Sequence, residues 1–272
     1  MVKMRQITSI CFLVFGIFGL GSAQIVTENA PDLTNIDVIE HPGAQIPLEL
    51  SFTDAQGKAI HLRDYFQSGK PVLLTLAYYE CPMLCTFVLN GLSDGVSNIS
   101  FNPGEEFQMI TVSIDPDETP QLAAAKKKNQ IGAIGRSIPE NGWEFLVGDK
   151  QNIDSLAHAV GFKFYYDAER DEFAHPAVSF VLTEDGTISR YLYGINYPSK
   201  DFRFALMEAS EGKIGDTFDK LLLYCYHYDP DSKGYVLFAG NVMRIGGVIT
   251  MIIIGIILTA FWKKEIRKKS EA

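Results

Sequence analysis

Cysteine and basic residues are scarce in this chain of 272 residues. There are four cysteines, and one of them, Cys11, lies in a segment that we expect to be removed, which leaves three. An odd number of exported thiols argues against a set that serves only as structural disulfides. Lys and Arg number 24 against 33 Asp and Glu. We therefore exclude a nucleic-acid partner, whose phosphates would be repelled.

Several motifs that would assign a function directly are also missing. The sequence contains no glycine-rich phosphate loop, no Ser/His/Asp arrangement and no nucleic-acid-binding motif. What it does contain is a composition that is 47% hydrophobic and 21% charged. That balance is typical of a globular chain with added membrane segments.

The N-terminus has the layout of a secretory signal peptide. Lys3 and Arg5 give it a basic start, residues 10–20 form an apolar run of eleven residues, and residues 21–23 are small. We predict a signal peptide over residues 1–23, with cleavage after Ala23. An uncleaved anchor is the less favoured alternative because the apolar run is short for a membrane span.

A second apolar segment lies near the C-terminus. Residues 245–262 form a run of eighteen residues without a charge, which is long enough to cross a hydrocarbon core. The tail at 263–272 is rich in basic residues, and the positive-inside rule places it in the cytoplasm. We therefore predict an exported domain, periplasmic or otherwise extracytoplasmic, held by a single C-terminal transmembrane helix. The exported part is more acidic than the whole chain and favours cationic partners or metal ions.

Strand and helix patterns alternate between these two segments. A short hairpin around residues 47–62 precedes the buried apolar run 71–79, and a second buried strand follows at 107–114. A further hairpin pattern spans 177–193. The order predicts an α/β fold with a thioredoxin-like sheet, an N-terminal hairpin and an insertion. The predicted divisions are a linker at 24–44, a thioredoxin-like domain at 45–224, a juxtamembrane segment at 225–244, the span and the tail.

Two cysteines lie where the first buried strand gives way to a helix. Cys81 and Cys85 follow the run 71–79, at the sheet edge where ligands bind in open α/β folds. With a helix starting near Pro82, their spacing places both thiols on one helix face, and the helix N-terminus favours thiolates. Two convergent thiolates suit Cu(I), or zinc with further ligands. A thioredoxin-type redox pair has two intervening residues and this pair has three, although a disulfide between them remains an alternative.

A histidine is the candidate third ligand. His175 precedes the strand pattern 177–183, so we expect it in a loop at an edge of the same sheet. Imidazole is an acceptable ligand for copper in both oxidation states.

The chain resembles the Sco/SenC family of copper-binding, thioredoxin-fold proteins in three segments: AYYECPMLCTFVLNGL, MITVSIDPDETP and AHPAVSFVLTEDGTISRYLYG. The family's CxxxC motif matches Cys81 and Cys85, and its downstream ligand histidine matches His175. The resemblance covers roughly residues 45–215. It implies a thioredoxin-like fold and copper, as Cu(I) or Cu(II), held by two cysteines and one histidine.

The same resemblance implies a role and partners. The role is maturation of the binuclear copper centre of cytochrome c oxidase, by copper delivery or by thiol reduction. The implied partners are the copper-bearing oxidase subunit and other copper chaperones or thiol reductants. Two features depart from the family pattern: the clear membrane span is C-terminal rather than N-terminal, and Pro176 follows the proposed ligand His175.

Other functions use the same residues. An exported, membrane-anchored thiol–disulfide oxidoreductase, or a peroxidase of related fold, would need only Cys81 and Cys85. A copper or redox sensor would use the same site without a transfer partner. His175 separates the copper chaperone from the redox enzyme, because disulfide exchange does not require it and three-coordinate copper does.

Three further residues are auxiliary candidates. Asp115 ends the second buried strand, where it either orients a ligand or serves the turn. Cys225 and His227 lie one residue apart among tyrosines, before the predicted span. They are either a relay site for copper or part of an aromatic juxtamembrane stretch.

Overall fold

The computed structural model describes residues 36–66, 69–81, 84–211, 222–223, 226–229 and 232–270. The predicted signal peptide lies outside the described residues. The strands are β1 (Asp37–Val38), β2 (Ser51–Asp54), β3 (Ala59–His61), β4 (Val72–Ala77), β5 (Gln108–Ser113), β6 (Trp143–Val147), β7 (Phe162–Lys163), β8 (Tyr165–Asp167), β9 (Glu172–Ala174), β10 (Val178–Leu182), β11 (Ile188–Tyr193), β12 (Tyr226–Asp229) and β13 (Gly234–Leu237). The helices are α1 (Leu84–Ser97), α2 (Pro120–Ala133), α3 (Lys150–Ala159), α4 (Ser199–Ala209) and α5 (Ala239–Ser270).

A seven-stranded mixed sheet forms the centre of the domain. Its strand order is β11-β10-β4-β5-β6-β2-β3. The three central strands β4, β5 and β6 are parallel, and antiparallel strands extend the sheet on both sides. This arrangement confirms the predicted thioredoxin-like α/β fold, with β2 and β3 as the N-terminal hairpin.

The central strands are apolar on both faces because both faces are covered. Every residue of β4 and of β5 is buried, as expected for parallel strands between two layers. Leu74 and Leu76 face a core that contains α3, whereas Leu73 faces a second core shared with α1, α2 and α4. This explains why the strand patterns read as continuous apolar runs.

Two helices begin at side-chain caps that position them against the sheet. The Thr119 side chain accepts a hydrogen bond from the backbone N–H of Leu122 at the start of α2, where Pro120 is the first helical residue. The Asp149 side chain accepts from the N–H of Asn152 at the start of α3. Both arrangements satisfy a donor that the helix leaves unpaired.

Two short antiparallel pairs, β1–β7 and β8–β9, lie outside the main sheet. Strand β1 pairs with β7, so part of the predicted linker 24–44 forms a strand. The predicted boundaries between linker and domain remain predictions. Gly161 permits this approach, since a Cβ atom there would clash with the carbonyl of Ile39. Strands β8 and β9 form a hairpin between β7 and β10.

The C-terminal part contains a hairpin and one long helix. Strands β12 and β13 are antiparallel, and α5 follows after one residue. Within α5, Gly240–Ala260 forms a stretch of 21 residues with a mean hydropathy of 2.2 and no buried residue. This helix is long and apolar enough to span a membrane, and most of the predicted span 245–262 lies within that stretch.

Candidate metal centre

Cys81 and Cys85 meet across the start of α1. Strand β4 ends at Ala77 and α1 begins at Leu84, so Cys81 lies in the connection and Cys85 in the first helical turn. The backbone N–H of Cys85 donates to Cys81 Sγ at 3.3 Å. The thiols are therefore brought together by a helix-terminal hydrogen bond. Cys81 itself is not helical, and residues 82–83, where the predicted helix start near Pro82 falls, lie outside the described residues.

His175 reaches the same place through the register of the sheet. It lies in the connection between β9 and β10, and β10 runs antiparallel to β4 with Ser179 opposite Thr75. The beginning of β10 therefore lies beside the end of β4, where Cys81 follows. His175 is only 5% exposed, although a histidine in a loop is more often a surface residue.

Direct contacts join the imidazole to the thiols. His175 Nε2 lies 2.6 Å from Cys85 Sγ, and its Nδ1 lies 2.9 Å from the carbonyl oxygen of Pro176. Cys81 and Cys85 are free thiols. In the chain as far as it is described, no group of three or more His, Cys, Asp or Glu side chains is preassembled as a metal site. Instead, hydrogen bonds hold the three donors close to one another. A set of two sulfurs and one imidazole nitrogen suits a soft metal such as copper.

The two thiols are electrostatically unequal. The pKa of Cys81 lies well below that of an ordinary thiol because Cys85, and then His175 and Tyr78, hydrogen-bond to its sulfur. Burial raises the pKa of Cys85, and its hydrogen bond to Cys81 raises it further. Cys81 is 7% exposed and Cys85 is fully buried. The pair therefore consists of an outer thiolate and an inner thiol.

Aromatic side chains form the wall around the imidazole. The ring of Tyr78 lies edge-on to His175 at 6.2 Å between centroids, and the ring of Phe162 lies at 5.9 Å. Phe173, from β9, packs against Tyr78 at 5.5 Å. The β8–β9 hairpin thus contributes to an apolar surround of the donors.

Sequence reasoning missed Glu118, which supports the connection that carries Cys81. Its carboxylate accepts hydrogen bonds from the backbone N–H groups of Tyr79 at 2.5 Å and Glu80 at 2.8 Å, and from Ser113 Oγ at 2.5 Å. Glu118 is 8% exposed, and burial raises its pKa. The only signal in the sequence was a third acidic residue in the segment after β5, and the end of β5 lies beside that of β4.

The structure describes two of the three auxiliary candidates, Asp115 and His227. Asp115 Oδ1 accepts from the N–H of Asp117 at 2.9 Å, and the Asp115 N–H donates to Ser113 Oγ at 3.1 Å, which is turn chemistry. His227 lies in β12 opposite Val236, and Cys225 lies outside the described residues. A relay role for Cys225 and His227 remains a prediction.

Comparison with known proteins finds one matching family model and several similar solved structures. A family model described as SCO1/SenC matches residues 40–203. No curated protein matches the sequence. A solved structure of a candidate electron transfer protein from Aquifex aeolicus VF5 is 26% identical with a TM-score of 0.56, over 64% of this chain and 96% of the other.

Two further solved structures are more distant matches. A SCO1/SenC family lipoprotein from Bacillus anthracis str. Ames is 17% identical with a TM-score of 0.50, over 62% of this chain and 95% of the other. Arabidopsis thaliana ScoI with copper bound is 18% identical with a TM-score of 0.46, over 63% and 98% of the two chains. Because the matching family model spans more than half of the sequence and includes Cys81, Cys85 and His175, the chain belongs to the SCO1/SenC family.

Proposed function

We propose that this protein binds one copper ion through Cys81, Cys85 and His175 and delivers it during assembly of the binuclear copper centre of cytochrome c oxidase. The observation that carries the proposal is the buried convergence of two free thiols and one imidazole at the same sheet edge. Copper is cargo in this role, so the ligands must both hold it and release it to the copper-bearing oxidase subunit.

The chemistry of the donors supports copper as the cargo. Thiolate sulfur is a soft ligand that selects Cu(I) over harder divalent ions, and imidazole is compatible with both copper oxidation states. The apolar wall of Tyr78, Phe162 and Phe173 lowers the local dielectric. Family membership points in the same direction, since the resemblance of the sequence implied this ligand set.

A second candidate function is thiol–disulfide exchange, with Cys81 and Cys85 reducing cysteines of the oxidase subunit. The observation that favours it is the inequality of the two thiols, with Cys81 held as a thiolate and Cys85 directly behind it. A nucleophilic thiolate with a resolving thiol is what disulfide exchange requires.

Copper titration of the full chain in detergent tests the copper site. We expect one copper per chain, and sulfur-to-copper charge transfer in the Cu(II) form. Cys81→Ser and Cys85→Ser should abolish that absorption, and His175→Ala should weaken retention while leaving both thiols. His158→Ala, on the exposed side of α3, is the matched control and should behave as wild type. Full binding in either cysteine variant would refute the ligand assignment.

Oxidase maturation in cells separates the two candidate functions. Copper delivery through three ligands requires His175, so His175→Ala should lose oxidase maturation although its dithiol still exchanges with disulfides. Normal maturation with this variant would replace delivery by the reductase function.

Protease accessibility tests the proposed topology. The domain should be extracytoplasmic and the basic tail cytoplasmic, so protease added to the outer face of the membrane that α5 crosses should digest the domain and spare an epitope on the tail. Protection of the domain would overturn the proposed location.

A further inference from the structure

A hairpin of two strands, β12 and β13, joins the domain to the apolar helix α5. Its aromatic side chains pack on α4: the rings of Tyr226 and Tyr235 each lie 5.4 Å from that of Phe204. Tyr235 is only 3% exposed. The hairpin is therefore part of the second core of the domain.

Polar contacts fix the same hairpin. Tyr235 Oη donates to Glu208 at 2.5 Å, and Lys200 Nζ donates to the backbone oxygen of Tyr235 at 2.6 Å. Arg190 forms an ion pair with Glu208 at 2.5 Å, and its guanidinium lies over the ring of Tyr228 at 4.9 Å. Because Tyr235 is buried and these polar contacts hold the hairpin, the hairpin is a fixed part of the domain and not a loose tether.

The connection from this hairpin to the helix is very short. Strand β13 ends at Leu237, α5 begins at Ala239, and the apolar stretch begins at Gly240. Three residues span at most about 10 Å, and the headgroup layer on each side of a bilayer is about 5–8 Å thick. With α5 crossing a bilayer, the end of β13 must lie in this layer or directly beside it.

The end of β13 presents apolar side chains where this layer would be. Val236 is 41% exposed, Leu237 57% and Phe238 50%. Alternation along a strand would place Leu237 on the same face as the buried Tyr235, but Leu237 is exposed. These side chains continue directly into the exposed apolar helix, so lipid is the environment that this part of the surface matches.

We propose that the β12–β13 hairpin is a membrane-docking surface, with Val236, Leu237 and Phe238 in the headgroup layer of the bilayer that α5 crosses. The occupant of the surface is lipid. Because the hairpin is packed on α4, docking holds the whole domain at a fixed height above the membrane. Combined with the proposed function, on which this last step rests, it restricts copper transfer to acceptor sites close to the bilayer surface.

Tryptophan fluorescence in liposomes tests the docking without using copper. The chain has two tryptophans, the buried Trp143 and the helix residue Trp262. In a Trp262→Phe background, Leu237→Trp introduces a probe at the proposed surface, and Val236→Trp is a second probe should the first variant fold poorly. Tyr166→Trp, at an exposed position of β8, is the control on the domain.

Liposomes containing lipids with a quencher near the headgroup give the readout. We expect a loss of emission and a blue shift for Leu237→Trp and Val236→Trp, and neither for Tyr166→Trp. Retention of the otherwise unchanged protein in the liposomes after alkaline carbonate extraction shows that the helix is inserted. Absence of lipid quenching at both hairpin positions in inserted protein would overturn the proposal. A blue shift without lipid quenching would also overturn it, because the surface would then be covered by protein, such as a second copy of this chain.

Discussion

Removal of the Glu118 carboxylate should weaken both the fold and the copper site. In Glu118→Ala, the backbone N–H of Tyr79 loses its acceptor in a residue that is 2% exposed. The N–H of Glu80, by contrast, belongs to an exposed residue that water can reach, and Ser113 Oγ keeps its hydrogen bond to the Asp115 carbonyl oxygen. One buried donor is therefore orphaned, which costs about 1–3 kcal/mol.

The same loss should reach the proposed copper ligands, because Tyr79 and Glu80 directly precede Cys81. Without its anchor, the connection that places Cys81 samples other positions and the copper complex loses part of the same free energy. A loss of about 1.4 kcal/mol of binding free energy corresponds to a tenfold loss of affinity. We therefore expect copper to bind about tenfold more weakly. Glu118→Gln keeps a carbonyl oxygen for the Tyr79 N–H and should retain most of the stability and affinity.

Denaturant unfolding of the full chain in detergent measures the first effect, and competition with a Cu(I) chelator measures the second. Glu80→Ala is the matched control, since Glu80 is a neighbouring carboxylate but is exposed. The reasoning is refuted when Glu118→Ala and Glu80→Ala do not differ in stability or in copper affinity.

Three other measurements address the electrostatics and packing around the sheet. The buried ion pair of Lys127 and Glu144, 2.9 Å long, should make Lys127→Met lose about 3–5 kcal/mol of stability in denaturant unfolding. Adding Glu144→Gln should recover most of that loss, and equal losses in single and double variants would contradict the pairing. Gly91→Ala should lower the melting temperature, because its Cβ would lie 2.0 Å from a backbone carbonyl oxygen. Gly132→Ala, where nothing lies within 4 Å, should be neutral or stabilising. Because burial raises the pKa of Glu118 above its usual 4.5, its neutral form is favoured in the fold, so wild-type stability should fall relative to Glu118→Gln as pH rises above that value. A constant difference across pH titrations would contradict this.

The sheet was predictable because its strands follow a local rule. The residues of β4, β5 and β10 are buried on both faces, and an uninterrupted apolar run is the direct result. Cys81 and Cys85 were found for a similar reason, since the end of a buried strand and the start of a helix define the ligand-binding edge.

The surroundings of the site were not predictable, because they depend on contacts between distant segments. The approach of His175 to Cys85 depends on the antiparallel pairing of β10 with β4, which the sequence pattern did not specify. The aromatic contact from Phe173 depends on the β8–β9 hairpin, whose short strands carry little periodic signal. In the sequence, Glu118 is indistinguishable from an exposed acidic residue. Because β5 lies beside β4, its carboxylate can accept hydrogen bonds from the backbone N–H groups that precede Cys81.

In the proposed thiol–disulfide exchange, the burial of the two thiols fixes the order in which they react. Cys81 is the more exposed of the pair and its sulfur is the thiolate, whereas Cys85 lies fully buried behind it. A partner disulfide must therefore be attacked by Cys81, which forms a mixed disulfide and releases the partner's other thiolate. Cys85 then attacks Cys81, which releases the partner as a second thiol. Cys85→Ser blocks this second step, so it should accumulate the mixed disulfide on non-reducing gels, whereas Cys81→Ser should not. Accumulation in Cys81→Ser alone would show that the buried thiol reacts first and would contradict the geometry.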